Sequence, residues 1–241
     1  MPQPCTYSKE TVINTDISNC ESEPIRFPGA VQPHGALLVL DAKSRVVEAA
    51  SESCDALLGL KPEKMLGQHI GHVLGESVAA ELLTLQNGDV SPLVSMSLNG
   101  RELTVREHSN ANGQVLIDIE PVGDATLASH LPYRCRQAIT SLRGHDDVLS
   151  VTQEAARLVQ NITGFDRVMV YRFDEMWNGQ VIAESCIRTI EPYLGLHFPA
   201  SDIPKQAREL FKSSGIRLIA DVCYTPSSLI ARGDNQLIDL G

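Results

Sequence analysis

The sequence predicts an α+β protein in which two successive antiparallel sheets each carry flanking helices. Three observations lead there. Short runs of alternating or β-branched residues recur between turn signals, the stretches between them break into brief helical bursts at glycine and proline, and one longer amphipathic run separates two such groupings. With 241 residues, 43% hydrophobic and 21% charged, the chain has the make-up of a globular protein long enough for one or two cores.

Residues 1–34 are punctuated by proline and show little periodicity, so they read as an extended arm. Ala36 to Leu40 and Arg45 to Ala49, joined through Asp41-Ala42-Lys43-Ser44, form a predicted hairpin that opens the first domain, 35–122. From Ser51 to Gln86, leucines and isoleucines at helical spacing are interrupted by Gly59, Pro62, Gly67 and Gly75, which predicts several short helices. Three strands follow, Leu93 to Leu98, Arg101 to His108 and Gln114 to Pro121. The first two are joined by Asn99-Gly100, a strong hairpin cue because both central turn residues need positive φ. Residues 123–132 read as a connector, and Tyr133 to Thr163 as one amphipathic helix ending at Gly164. The second domain, 133–241, then continues with strands at Arg167 to Phe173, Gly179 to Ser185 and Ile216 to Val222, and a short helix over Pro204 to Ser213.

Composition excludes several functions. Twenty Lys and Arg against 30 Asp and Glu give a formal charge of −10, with no basic cluster, so nucleic acid and anionic membranes are poor partners. No apolar run reaches membrane-spanning length and no basic start precedes an apolar stretch, so the expected location is cytoplasmic. The six cysteines form no CxxC pair, which disfavours zinc ribbons, and a disulfide framework is not expected in a reducing compartment. No metal cluster, Ser-His-Asp set or phosphate-binding loop can be assembled from the residues, so an enzyme is the weakest reading.

Three strings carry a resemblance. They are Cys20-Glu21-Ser22-Glu23-Pro24-Ile25-Arg26-Phe27-Pro28-Gly29-Ala30-Val31-Gln32-Pro33-His34-Gly35, Phe165 to Phe173, and Tyr193 to Pro204 with its Pro199-Ala200-Ser201-Asp202-Ile203-Pro204 core. In this order they resemble the arm, PAS domain and first part of the GAF domain of a bacteriophytochrome, a red/far-red photoreceptor carrying the linear tetrapyrrole biliverdin. The resemblance runs from about Cys20 to the last residue.

By that resemblance Cys20 forms a thioether to the A-ring vinyl group of the bilin, with Cys5 a weaker alternative. Glu21 and Glu23 beside Cys20 disfavour its thiolate, so proximity must promote the reaction. The resemblance gives Asp202 a main-chain carbonyl accepting from the pyrrole N–H groups and a carboxylate that changes partner on photoconversion. It makes Tyr171, Phe198, Ile203, Met169 and Pro204 walls of the pocket, and pairs Arg217 with a propionate, a task suited to the planar guanidinium fork. Phe211 stands where many relatives have a tyrosine, keeping the ring and losing a hydroxyl. His34 reads as a structural hydrogen-bonder and His197 is unassigned.

The resemblance also implies that the arm threads a loop of the GAF domain, with Val31 near the crossing. The second propionate arginine, the SP-x-H segment, the PHY domain and the histidine kinase of the family would lie beyond Gly241, so the expectation is a truncated member. The resulting function is a chromophore-binding module that attaches biliverdin and signals by its photoisomerisation. Its expected partners are a second copy through the GAF helices and, in a full-length form, PHY and kinase domains or a response regulator. The alternative from the residues is a pigment-free PAS–GAF module that dimerises through the helix near Val148 to Ile162.

Overall fold

A computed structural model describes residues 25–83, 93–110, 112–123, 125–213, 215–233 and 238–240. The chain divides into two units, residues 1–122 together with 206–241, and residues 123–205.

The first unit is built on a seven-stranded sheet. Its strands are β1 (Ala30–Val31), β2 (Ala36–Leu40), β3 (Val47–Ser51), β4 (Val94–Leu98), β5 (Arg101–Ser109), β6 (Val115–Pro121) and β10 (Ser227–Ala231), in the spatial order β1-β10-β3-β2-β6-β5-β4. All the pairings are antiparallel. Strand β2 lies near the middle and is buried on both faces, and its period of two sorts it cleanly. Ala36, Leu38 and Leu40 join the main core, which is closed by the short helices α1 (Ser53–Leu58), α2 (Pro62–Met65), α3 (Ile70–Leu74) and α4 (Glu76–Leu83). Leu37 and Val39 face the other way, into a smaller cluster with Ala49, Leu116 and Ile238. Each fully buried aliphatic side chain of this kind stabilises the fold by roughly 1.5–3 kcal/mol. The predicted Asn-Gly turn forms as expected, with φ of 51° at Asn99 and 75° at Gly100.

Two expectations about the helices and the last strand are corrected. The segment 123–132 is not an irregular connector, because α5 (Ala125–Leu142) begins there and continues through Pro132. The single helix expected over 133–163 is two, the second being α6 (Val148–Thr163). Gly144 and Asp147 break the run. The Asp147 carboxylate caps α6 by accepting from the Ser150 amide at 2.9 Å, which competes with continued helix at that point. The C-terminus of α6 is as read, with Gly164 at φ 75°. The strand expected over Ile216 to Val222 is absent, and the chain there is irregular and exposed. Strand β10 forms later instead, because Ser227 to Ala231 finds a free edge on both β3 and β1. Residues 206–241, assigned from sequence to the second domain, therefore group with the first unit.

The second unit holds α5, α6 and a three-stranded antiparallel sheet of β7 (Arg167–Phe173), β8 (Gly179–Cys186) and β9 (His197–Phe198), with β8 central. Helix α6 packs on β7 and β8. A bulge places Ile182 as an extra residue of β8 between the pairs Val170 with Ala183 and Tyr171 with Val181. After β9 the chain makes a 3₁₀ turn, Ala200–Asp202, and α7 (Lys205–Ser213) begins at the boundary of the two units. Among the described residues no helix is long and apolar enough to cross a membrane, and no group of three or more His, Cys, Asp and Glu side chains is placed to hold a metal ion.

Candidate functional site

The second unit concentrates aromatic side chains on one face of its sheet. Alternation along β7 puts Arg167, Met169, Tyr171 and Phe173 on a common face. Phe198 arrives from β9, in register with Gly179. The rings then touch in series. Tyr193 lies 6.1 Å from Phe198, Phe198 6.1 Å from Tyr171, Tyr171 5.1 Å from Phe173 and Phe173 5.7 Å from Trp177, centroid to centroid. Five of the eleven aromatic residues of the chain are in this row. The row is only partly covered. Phe173 is 37% exposed, Trp177 41% and the neighbouring Met169 42%, which is unusual for large apolar groups in such number.

Gly179 makes the arrangement possible. A Cβ at that position would stand 1.8 Å from Cζ of Tyr171, so the phenol ring lies directly on the glycine backbone. Any other residue there would push the ring off the sheet. Burial first, and the Asp202 carboxylate second, push the Tyr171 phenol above its ordinary value. Asp202 is exposed in the 3₁₀ turn, with its amide donating to the Pro199 carbonyl at 3.1 Å. The turn is pinned from the hairpin between β7 and β8. Asp174 accepts from the amides of Met176 and Asn178, both at 2.8 Å, and the Asn178 side-chain oxygen accepts from the Ala200 amide at 3.3 Å. The Asn178 side chain is also the main reason the Asp174 carboxyl sits below its ordinary value.

A buried ion pair fixes the strand-to-turn segment on the other side. Glu184 of β8 has a side chain only 2% exposed. Its Oε1 stands 2.9 Å from Nε of Arg167, as an ion contact rather than an aligned hydrogen bond, and its Oε2 accepts from the amides of Tyr193 and Leu194 at 2.7 and 2.8 Å. The Arg167 guanidinium also lies 3.7 Å from the Tyr193 ring centroid, a cation–π contact. One carboxylate therefore orders the segment that leads into Phe198 and the 3₁₀ turn.

Of the residues singled out from sequence, Met169, Tyr171, Phe198, Asp202, Ile203 and Pro204 fall together in the second unit. Tyr171, Phe198, Ile203 and Pro204 are half-buried. Phe211 and Arg217 belong to the segment grouped with the first unit, where Phe211 is 53% exposed and Arg217 also faces solvent. There the Gln32 side chain brackets the segment after Arg217. It donates to the Leu218 carbonyl and accepts from the Ala220 amide at 2.8 Å. Cys20 and Cys5 lie outside the described residues. Cys54, Cys135 and Cys186 are free thiols. Sequence reading passed over Gly179, Glu184, Arg167 and Tyr193. An isolated glycine heading a strand and a lone glutamate inside an apolar strand were the available signals.

Residues 20–122 match the family described as PAS fold. The wild-type chromophore binding domain of a Stigmatella aurantiaca phytochrome superposes with a TM-score of 0.81 at 37% identity, over 92% of this chain and 76% of that one. The chain belongs to the phytochrome family. The chromophore-binding domain of an unusual bacteriophytochrome from R. palustris gives a TM-score of 0.80 at 34% identity, over 92% and 75% of the two chains. Among curated phytochromes, Cyanobacterial phytochrome B of Nostoc sp. is 37% identical over 227 residues, covering 89% of this chain and 30% of the relative. The Bacteriophytochrome of Pseudomonas aeruginosa is 38% identical over 218 residues, covering 87% and 29%. The chain thus spans about three-tenths of the length of these curated relatives.

Proposed function

We propose that this chain is the pigment-holding part of a red/far-red photoreceptor and that it takes biliverdin, attached at Cys20. The observation that carries the reading is the partly uncovered row of rings in the second unit, set beside the Asp202 turn, in a chain that matches phytochrome chromophore-binding domains over most of its length. A linear tetrapyrrole is long, flat and apolar, with N–H donors along one edge and two carboxylates. The residues fit such a group. Met169, Tyr171 and Phe198 supply apolar walls, with Ile203 and Pro204 continuing them. The Asp202 main chain supplies an acceptor, and an acceptor is required because an unpaired buried N–H costs about 1–3 kcal/mol.

When bound, the bilin supplies light absorption and a double bond that isomerises. The chain's own part is to hold and to report. The ring row keeps water off the pigment, the Glu184–Arg167 pair keeps the walls in place, and the exposed Asp202 carboxylate is free to exchange partners when the shape of its neighbour changes. In this reading the chain is sensory rather than catalytic and works in the cytoplasm as a homodimer through the helices of its second unit. In a full-length form its expected partners are PHY and histidine-kinase domains or a response regulator.

Adding biliverdin to the purified chain is expected to produce a red-absorbing band that survives denaturation in the wild type and is lost on denaturation in Cys20→Ser. A wild-type chain that stays colourless and oligomeric would overturn this reading in favour of the pigment-free interaction module.

A further inference from the structure

The hairpin between β7 and β8 holds a backbone conformation that its sequence does not favour. Trp177 has a φ of 67°, in the left-handed region. A turn followed by one left-handed residue is ordinarily closed there by glycine or asparagine, and a bulky residue in that place is a strained outlier. The loop is tied shut around it. The Trp177 amide donates to the Asp174 carbonyl at 3.0 Å, and the Asp174 amide to the Asn178 carbonyl at 2.8 Å. The Asp174 carboxylate accepts from the Met176 and Asn178 amides at 2.8 Å and from the Asn178 side-chain nitrogen at 3.1 Å. Strain kept in place by this many bonds points to a gain elsewhere. The gain is where the indole ends up. Met176, its neighbour in the same loop, is 74% exposed, whereas Trp177 turns back and meets the Phe173 ring edge-on, at 61° and 5.7 Å between centroids. Tyr171, Phe173 and Phe198 enter the ring row from strands and Tyr193 from the segment ordered by Glu184, while Trp177 enters it from the loop. It stands last in the row, beyond Phe173.

We propose that Trp177 is the end wall of the pigment seat: its indole closes the Phe173 end of the ring row and limits how far a flat tetrapyrrole slides along it. The inference rests on the photoreceptor reading above and adds to it a residue outside the strings that carried the resemblance. The indole suits the task. Its broad apolar body keeps water from the rim of a flat conjugated ligand, and the uncovered part of its surface is what such a ligand would meet. A methionine in the same place would give up more rotamer freedom to do as much. The left-handed backbone, locked by Asp174 and Asn178, sets the direction of the ring before any ligand arrives, so little ordering is left for the binding step.

The test uses the full chain and biliverdin. Trp177→Gly removes the ring and suits the left-handed backbone, so the hairpin is expected to survive and the far-ultraviolet circular dichroism of the pigment-free chain to stay unchanged. Reversible binding is read by absorbance titration with Cys20→Ser in the background. Trp177→Gly is expected to weaken it at least fivefold, and Trp177→Phe, which keeps a ring, to weaken it less. A second measurement needs no variant. Trp177 is the single tryptophan, so its fluorescence reports on this residue alone. Its acrylamide quenching rate constant, taken from lifetimes so that energy transfer to the pigment does not enter, is expected to fall at least threefold when the wild-type chain is saturated with biliverdin. Weakening of less than fivefold in Trp177→Gly, equal weakening in Trp177→Phe, or an unchanged quenching rate constant overturns the wall and leaves the photoreceptor reading standing. A wild-type chain that takes up no pigment rejects that reading itself, and the wall falls with it.

Discussion

Gly179 and Tyr171 show how much a single missing Cβ decides. The phenol of Tyr171 occupies the space a side chain at Gly179 would need, and that seat turns the ring toward Phe198 and Phe173. Gly179→Ala is therefore expected to displace the ring and to cost about 1–3 kcal/mol, as overpacking in a filled site does. Chemical denaturation would give the cost, and near-ultraviolet circular dichroism would show the ring losing its fixed surroundings. An unchanged spectrum would mean the ring has another seat. Glu184 is the second residue on which the site turns, because it satisfies two main-chain amides and Arg167 at once from a nearly dry position. The resemblance makes Tyr171 and Phe198 expected walls of a pocket. It had no means to see what seats them, since neither Gly179 nor Glu184 lies in the strings that carried the resemblance.

Elements were legible wherever local physics decides them. The hairpin turn at Asn99-Gly100, the short helices between Ser53 and Leu83, and the helix stop at Gly164 all follow from φ preference and spacing, and all are present. The helical region before the second sheet was misread because a long amphipathic pattern does not reveal a local competitor inside it. Asp147 is that competitor. Its carboxyl is held below the ordinary value, first by the Ser150 side-chain hydrogen bond and then by the Ser150 amide. A carboxyl depressed in the folded state contributes stability above its unfolded value and loses it as pH falls through the folded one. Asp147→Ala is thus expected to lower the urea midpoint at pH 7, and the gap to wild type should close as pH drops below the ordinary carboxylate value of 3.8. A gap that stays constant with pH would show that the cap acts through something other than its charge.

At the scale of the whole molecule, the main surprise is that sequence order and unit membership part company. Residues 206–241 follow the second unit in the chain yet contribute β10 and Ile238 to the first. Ile238→Ala is expected to destabilise the first unit by about 2–5 kcal/mol, the usual cost of truncating a buried isoleucine. Trp177, the single tryptophan, lies in the second unit and provides a separate probe. The transition seen by far-ultraviolet circular dichroism should shift to lower denaturant, while the tryptophan fluorescence transition stays in place. Coincident shifts of both would show that the two units unfold as one.

The sequence by itself determined the fold class, most strands and helices, and the family, because alternation, turn chemistry and short strings are local and survive translation into a linear code. Only the tertiary structure decided that the strand expected over Ile216 to Val222 would form instead at Ser227 to Ala231, that a glycine and a buried carboxylate would set the ring row, and that Arg26 would meet Asp239 across 213 positions. A strand needs an open edge and a buried charge needs its counterpart. Both are properties of what the chain brings near a residue, which no local pattern carries.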